Sequence, residues 1–402
     1  MRLSRPDSWV TARRLRSHGI ILSLCLWVVY FWNMAAPGLR DRAGNLKGTD
    51  FLHLYTLGSL ALAHRGADLY DMQAQAALAA QRVPAAAGIR YLPLYPPQVS
   101  IFFAPFARLS YGWALVWWLA VSAAIYAACV YAMWRTCPGL RSRGSTVVIL
   151  AVAFPAFWHL IAWGQTSALA LACFTTAFFA LKRERDFLAG LALGCLVFKP
   201  QLGIAAAVVF IATLRWKVVG GAIVAASAEL ASAWAYYGPG PFREWMRALD
   251  RLPTVLPLLE PRPYQTHSLR SFWTMLTPWP RAALSLYLLT ALFVLALAVR
   301  CWRGRLSLSL SYPALLLATV LVSPHLTVYD LVIVGPALLL LSDWCAAHLD
   351  DSAQPLLKIL LYLAYAFPLL GPLAGWTHLQ LSVPVMLAVL YWICGVRGRQ
   401  SF

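Results

Sequence analysis

Hydrophobic and polar positions along the chain form a series of long apolar runs separated by short polar breaks. The runs lie at about 20–37, 113–134, 146–163, 166–181, 187–198, 201–214, 218–237, 281–300, 307–323, 328–342, 355–373 and 378–395. A helix rising ~1.5 Å per residue crosses a ~30 Å hydrocarbon core in about 20 residues. The pattern therefore predicts an all-α polytopic membrane protein with about 12 transmembrane helices, one integral membrane domain over residues 1–402. Two places break the rhythm. Arg108 and the polar stretch 109–112 interrupt residues 95–134, so 113–134 reads as the span and 95–109 as a short re-entrant or interfacial helix. Runs 187–198 and 201–214 are short spans that do not reach the outer surface. They meet below the surface and leave Lys199-Pro200 at a broken-helix junction, which is tolerated only where it is buried or lines a cavity.

Composition agrees with this reading. The 402 residues are 61% hydrophobic and 12% charged, with a mean hydropathy of +0.66. Soluble chains run about 45–50% apolar and about 25% charged. The net charge of +18 would suggest nucleic acid on a soluble domain. Here the basic residues sit in short clusters between apolar runs, which is the positive-inside bias of membrane proteins, and no nucleic-acid partner is implied. The clusters are Arg135/Arg141/Arg143, Lys182/Arg183/Arg185, Arg215/Lys217, Arg300/Arg303/Arg305 and Arg397/Arg399. With all of them cytoplasmic, and with Arg2, Arg5, Arg13, Arg14 and Arg16 ahead of a retained first anchor, the runs pair without conflict. Residues 38–94 then form a first extracytoplasmic loop and 238–280 a second. The expected location is the plasma membrane, multi-pass, with the active surface on the extracytoplasmic side. The eight cysteines form no CxxC pair and indicate neither a zinc site nor a disulfide framework.

Few polar residues remain to carry chemistry. Asp50 stands in Gly48-Thr49-Asp50-Phe51-Leu52-His53-Leu54-Tyr55, the start of a juxtamembrane amphipathic helix in the first outer loop, with Thr49 or Asp50 as N-cap. The residue is then either a cap or a carboxylate held beside His53 and aromatics as a general base. Lys199, at the helix break, either meets a lipid phosphate or snorkels to the headgroups. Gln165 lies at the tip of the hairpin formed by 146–163 and 166–181. His267 in Gln-Thr-His-Ser and His325 in Ser-Pro-His lie in outer connections, where either could bond a phosphate or a sugar. Glu229, mid-span, is either functional or satisfied by a buried partner. There is no HExxH, DxD, Walker or GxGxxG pattern, so no metal or cofactor is implied.

The ordered landmarks resemble a known family. They are the loop Asp50-Phe51, Leu69-Tyr70-Asp71, Tyr95-Pro96-Pro97, the Ala-Pro-Phe-Ala-Arg-Leu of 104–109 and the Gly-Gln-Thr-Ser of 164–167. After these come the Ala-Gly-Leu-Ala-Leu-Gly of 189–194, the Phe-Lys-Pro-Gln of 198–201, Ser323-Pro324-His325 and Tyr329-Asp330. In this order they look like glycosyltransferase family 87, polytopic enzymes of the GT-C fold that include polyprenyl-phosphate-mannose-dependent α-mannosyltransferases. The resemblance implies that Asp50 is the catalytic base and that Lys199 and His325 face the donor; His53, Gln165 and His267 are further substrate-binding candidates from their own positions in the outer loops. The resemblance also implies a polyprenyl-phosphate-linked sugar as donor and a lipid or glycan hydroxyl as acceptor. One base and one leaving-group site imply a single inverting displacement. The family often has Asn-Gln-Ser where this chain has Gln265-Thr266-His267-Ser268. The rival reading is a secondary transporter or lipid flippase, which also uses broken helices and intramembrane charges. Such proteins usually show internal repeats, absent from this hydropathy pattern, and rarely carry a polar first loop as long as 38–94.

Overall fold

The computed structural model describes residues 10–252, 254, 262–304, 306–348 and 354–399. Arg2, Arg5 and Arg305, and part of the loop 238–280, lie outside the described residues. Among those described the chain is helical, and β-pairing is confined to two isolated bridges, Arg40 with Leu46 and Thr266 with Thr327. It is an all-α, multi-pass membrane protein.

Helix α1 (Ala12–Met34) opens under a Thr11 cap, whose side chain accepts from the Arg14 N–H. It turns Ile21, Leu24, Val28 and Trp32 outward; in a bilayer that face meets lipid. The segment that follows folds back rather than extending. Lys47 Nζ donates to the carbonyls of Ala36 and Gly38 at 2.6 and 2.8 Å. Helix α2 (Thr49–Leu62) comes next, then α3 (Met72–Arg82), α4 (Gln98–Ala107) and the long α5 (Tyr111–Arg135). Asp71 caps α3, accepting from the N–H groups of Gln73 and Ala74 at 2.8 and 3.0 Å.

Two expectations for α2 are corrected. Neither Thr49 nor Asp50 is its N-cap. Gly48 takes that place in a left-handed conformation (φ 65°) with no side-chain cap, and the Thr49 hydroxyl donates back to the Leu46 carbonyl at 2.7 Å. Nor is α2 an amphipathic surface helix, because every residue from Phe51 to Ala61 is buried. Helix α4 lies against it so closely that a Cβ on Gly58 would stand 2.4 Å from the Phe103 carbonyl oxygen. Phe51, Leu54, Tyr55, Phe103 and Trp118 form a separate apolar core there. The first loop is thus a small packed unit built on α4 and the start of α5.

The remaining helices make the main bundle: α6 (Gly144–Val152), α7 (Pro155–Trp163), α8 (Ser167–Lys182), α9 (Asp186–Gly194), α10 (Ile204–Ala212), α11 (Trp216–Tyr237), α12 (Gly240–Asp250), α13 (Leu269–Leu276), α14 (Pro280–Arg303), α15 (Leu308–Val322), α16 (Gly335–Ala347), α17 (Gln354–Ala366), α18 (Gly371–Thr377) and α19 (Ser382–Arg399). Pro155, at the first turn of α7, breaks the run 146–163, and the two halves meet at 45°. The break at Lys199 is as expected from the short runs: single turns Cys195–Phe198 and Pro200–Gly203 flank it. Helices α9 and α11 touch backbone to backbone. A Cβ on Gly190 would sit 2.0 Å from the Val218 carbonyl oxygen, and one on Gly194 2.3 Å from that of Ala222. Small residues four apart are how helices approach closely where no hydrophobic effect drives them together.

Six helices among the described residues are long and apolar enough to cross a membrane, seven if the bent pair is one span. The total of about 12 counts the bent pair as one span and adds five of the shorter apolar helices of 10–17 residues, such as Ser167–Lys182 and Leu308–Val322, leaving out Gln98–Ala107.

Candidate active site

Asp50 and Gln165 are both set by left-handed glycines. Gly48 starts α2 two residues before Asp50, and Gly164 (φ 72°) ends α7 just before Gln165. Each glycine is pinned by its neighbours. The Tyr111 hydroxyl donates to the carbonyls of Lys47 and Gly48 at 2.7 and 2.9 Å. Trp118 Nε1 donates to the Gly164 carbonyl at 2.8 Å. Both turns are therefore held on α5 and lie against each other, and Gln165 Nε2 donates to Asp50 Oδ2 at 2.6 Å. The Tyr95 hydroxyl reaches the other amide atom, Gln165 Oε1, at 3.5 Å.

Beside this pair lies a second cluster. Lys199 Nζ donates to Asp330 Oδ1 at 2.8 Å and to Ser167 Oγ at 3.3 Å. The Ser167 hydroxyl in turn donates to Asp330. The other Asp330 oxygen accepts from the backbone and hydroxyl of Thr327, both at 3.3 Å. The ammonium also lies 5.1 Å from the Tyr329 ring centroid. Both partners of the ion pair are almost wholly buried, with side-chain exposures of 8% and 3%. A lone ammonium would be costly at that depth, and the carboxylate with its hydroxyl and amide donors offsets the cost.

The two clusters act on one another. Burial pushes the Asp50 carboxyl up to about 6 from the ordinary carboxylate range. The Gln165 hydrogen bond, the Lys199 ammonium and the electrostatic influence of His325 oppose that rise, while the Asp330 carboxylate adds to it. Near neutral pH Asp50 is thus mostly ionised and still basic enough to take a proton, as a general base requires.

The other sequence candidates separate. His325 shares the electrostatic neighbourhood of Asp50; its loop is clasped by Arg270, whose Nε donates to the Pro324 carbonyl. His53 is buried in the adjoining wall. Its ring stacks on Tyr91 with centroids 4.8 Å apart, and burial lowers its pKa to about 4, so it is a neutral ring at physiological pH. His267 is fully buried. Its ring bonds Ser382 Oγ at 2.8 Å and its backbone N–H donates to the Leu326 carbonyl at 2.9 Å, which ties its strand-like segment to two others. It is not among the groups that act on Asp50. Burial lowers its pKa to about 3. Glu229 is half-buried on α11, beside Cys195 and Gln98.

Sequence reasoning did not assign site roles to Tyr95, Ser167 or Asp330. Their signal was present in the motifs Tyr-Pro-Pro, Gly-Gln-Thr-Ser and Tyr-Asp, but a neutral residue or a carboxylate near a span end says little until its partner is known.

A family model described as Glycosyltransferase family 87 matches residues 94–324, more than half of the chain. The match takes in Tyr95, Gln165, Ser167 and Lys199; Asp50 precedes it, and His325 and Asp330 follow it. No curated protein and no solved structure matches the chain.

Proposed function

The chain belongs to glycosyltransferase family 87 and is a membrane glycosyltransferase, and from that premise we propose that it moves a hexose, mannose in the first instance, from a polyprenyl-phosphate carrier to a lipid or glycan hydroxyl. The observation that carries this reading is the buried Asp50 carboxylate, held by Gln165 next to the buried Lys199–Asp330 ion pair. In the proposed step the Asp50 carboxylate takes the proton of the acceptor hydroxyl as that oxygen attacks the anomeric carbon. The bond from that carbon to the phosphate oxygen breaks, and the electron pair leaves with the polyprenyl phosphate. The phosphate gains charge as it leaves, so donors aimed at it stabilise the transition state more than the ground state. An ammonium has three N–H donors. Asp330 and Ser167 take two of those on Lys199, and the third is proposed to meet a phosphate oxygen together with His325. A single displacement inverts the anomeric carbon, so a β-linked donor gives an α-linked product.

In this reading the fold is of the GT-C type and the reacting face is extracytoplasmic, in the plasma membrane. A lipid-linked donor fits that side, which nucleotide sugars do not reach. His53 and Tyr91 form a wall of the acceptor side, and His267 holds the loop that carries His325 rather than touching substrate. The test is transfer by the purified, detergent-solubilised protein. It should use polyprenyl-phosphate mannose and not a nucleotide sugar, and should release an α-linked product. Transfer from the nucleotide sugar alone, or a β-linked product, would contradict the proposal.

A further inference from the structure

A cavity of about 420 Å³ lies between α1, α5, α6, α16 and α17. Its walls are mostly apolar, with Tyr126, Phe154, Leu338 and Tyr365 among them. Among the described residues its charges are of one sign: Arg143 and Lys358 line it, and no Asp or Glu does. A third cation, Arg16, donates to the lining Thr146 hydroxyl at 3.4 Å. Among the described residues none of these three is held in a salt bridge. Leu338, Lys358 and Tyr362 are only half-buried, so the cavity is reachable from the side of the bundle.

It lies far from Asp50. The cavity takes in Ala12 and Leu15 at the start of α1, whereas Asn33, near its other end, donates to Asp41 in the segment leading to Asp50. Along α5, Tyr126 is about 22 Å from Tyr111 at ~1.5 Å per residue, and Tyr111 is the residue that holds Gly48. The cavity thus belongs to the leaflet opposite the reacting site. An apolar slot with unpaired-to-carboxylate cations, at one end of a membrane-spanning bundle, matches a lipid with an anionic headgroup and apolar chains. Its volume falls within the ~300–1,000 Å³ of ligand pockets. A carrier phosphate held there would be too far from Asp50 to react, which favours a resident phospholipid over the donor.

We propose that this cavity binds an anionic phospholipid of that leaflet, with its phosphate on Arg143 and Lys358 and an acyl chain against Tyr126, Phe154 and Tyr365. The choice of a phospholipid over the carrier rests on the proposed role of Asp50; the binding of an anionic lipid itself does not.

The test uses the full-length protein, delipidated in detergent, with phosphatidylglycerol and phosphatidylcholine as probes. Binding is read by native mass spectrometry and by the rise in thermal midpoint that a native-state ligand produces. Phosphatidylglycerol should bind and stabilise, and phosphatidylcholine should do so far less. R143Q/K358Q should weaken phosphatidylglycerol binding by about 25-fold, roughly fivefold for each charge removed, with its lipid-free midpoint unchanged. A second variant, Leu338→Trp, fills the slot and keeps both charges; it should lose the bound lipid as well. Equal binding of the two lipids, or wild-type binding by both variants, would overturn the proposal. Preferential binding of polyprenyl phosphate at this site would overturn it too, by making it a carrier site.

Discussion

At the scale of single residues, the proposed chemistry rests on how Asp50 is held. Its carboxyl is raised to about 6, and only the ionised form can accept a proton. Transfer should therefore fall as pH drops through about 6, well above the range of an ordinary aspartate. The Gln165 bond favours the ionised form, so Gln165→Leu should move that acidic limb upward; a limb unmoved in a pH–rate profile would separate Gln165 from Asp50. Lys199 and Asp330 make a second test. Asp330→Asn leaves an ammonium buried without its carboxylate, at a cost of about 3–5 kcal/mol, and should lower the thermal midpoint. Replacing both, as K199M/D330L, should restore much of the stability but not transfer. A double variant that transfers at the wild-type rate would remove Lys199 from the donor site. Asp50 and Lys199 stood out in the sequence because charge is scarce in an apolar chain. Asp330 did not, because its partner lies 131 residues away and only the fold brings them together. His267, which its polar loop offers as a group to bond a phosphate or a sugar, is buried, with its ring on Ser382 Oγ and its backbone N–H on the Leu326 carbonyl, a placement only the fold reveals.

Among the elements, apolar periodicity located most helices and the break at Lys199, but not how the helices touch. The stretch 189–194 was legible as a motif and not as a cause. The contact explains it, since side chains on Gly190 or Gly194 would overlap the α11 backbone. Gly190→Val should cost about 1–3 kcal/mol or more, as overpacking does, and should reduce monodisperse protein in detergent; normal yield and midpoint would show that the two helices can move apart. Helix α2 shows the opposite limit. Its apolar residues read as one face of a surface helix because the sequence, although it announces the short helix of 95–109, does not say that this helix packs on α2 and covers its other face at Gly58.

For the whole molecule, the distribution of basic clusters predicts sidedness, and sidedness decides which donors can reach Asp50. Cysteines at Asn45 and Gly240, in a Cys25→Ser background, should react with a membrane-impermeant maleimide in intact cells, and one at Gly304 should not. Asn45 is exposed and Gly240 has open space for a side chain. Labelling at Gly304 from outside would reverse the orientation and place Asp50 on the cytoplasmic face.

The role of Asp50 is tested by the turnover of Asp50→Asn, purified and given polyprenyl-phosphate mannose at neutral pH. The amide keeps the shape of the carboxylate and cannot take a proton. Transfer should drop by ~10²–10⁴-fold, with thermal midpoint and donor binding close to wild type. Turnover near the wild-type rate would contradict the assignment of Asp50 as the base.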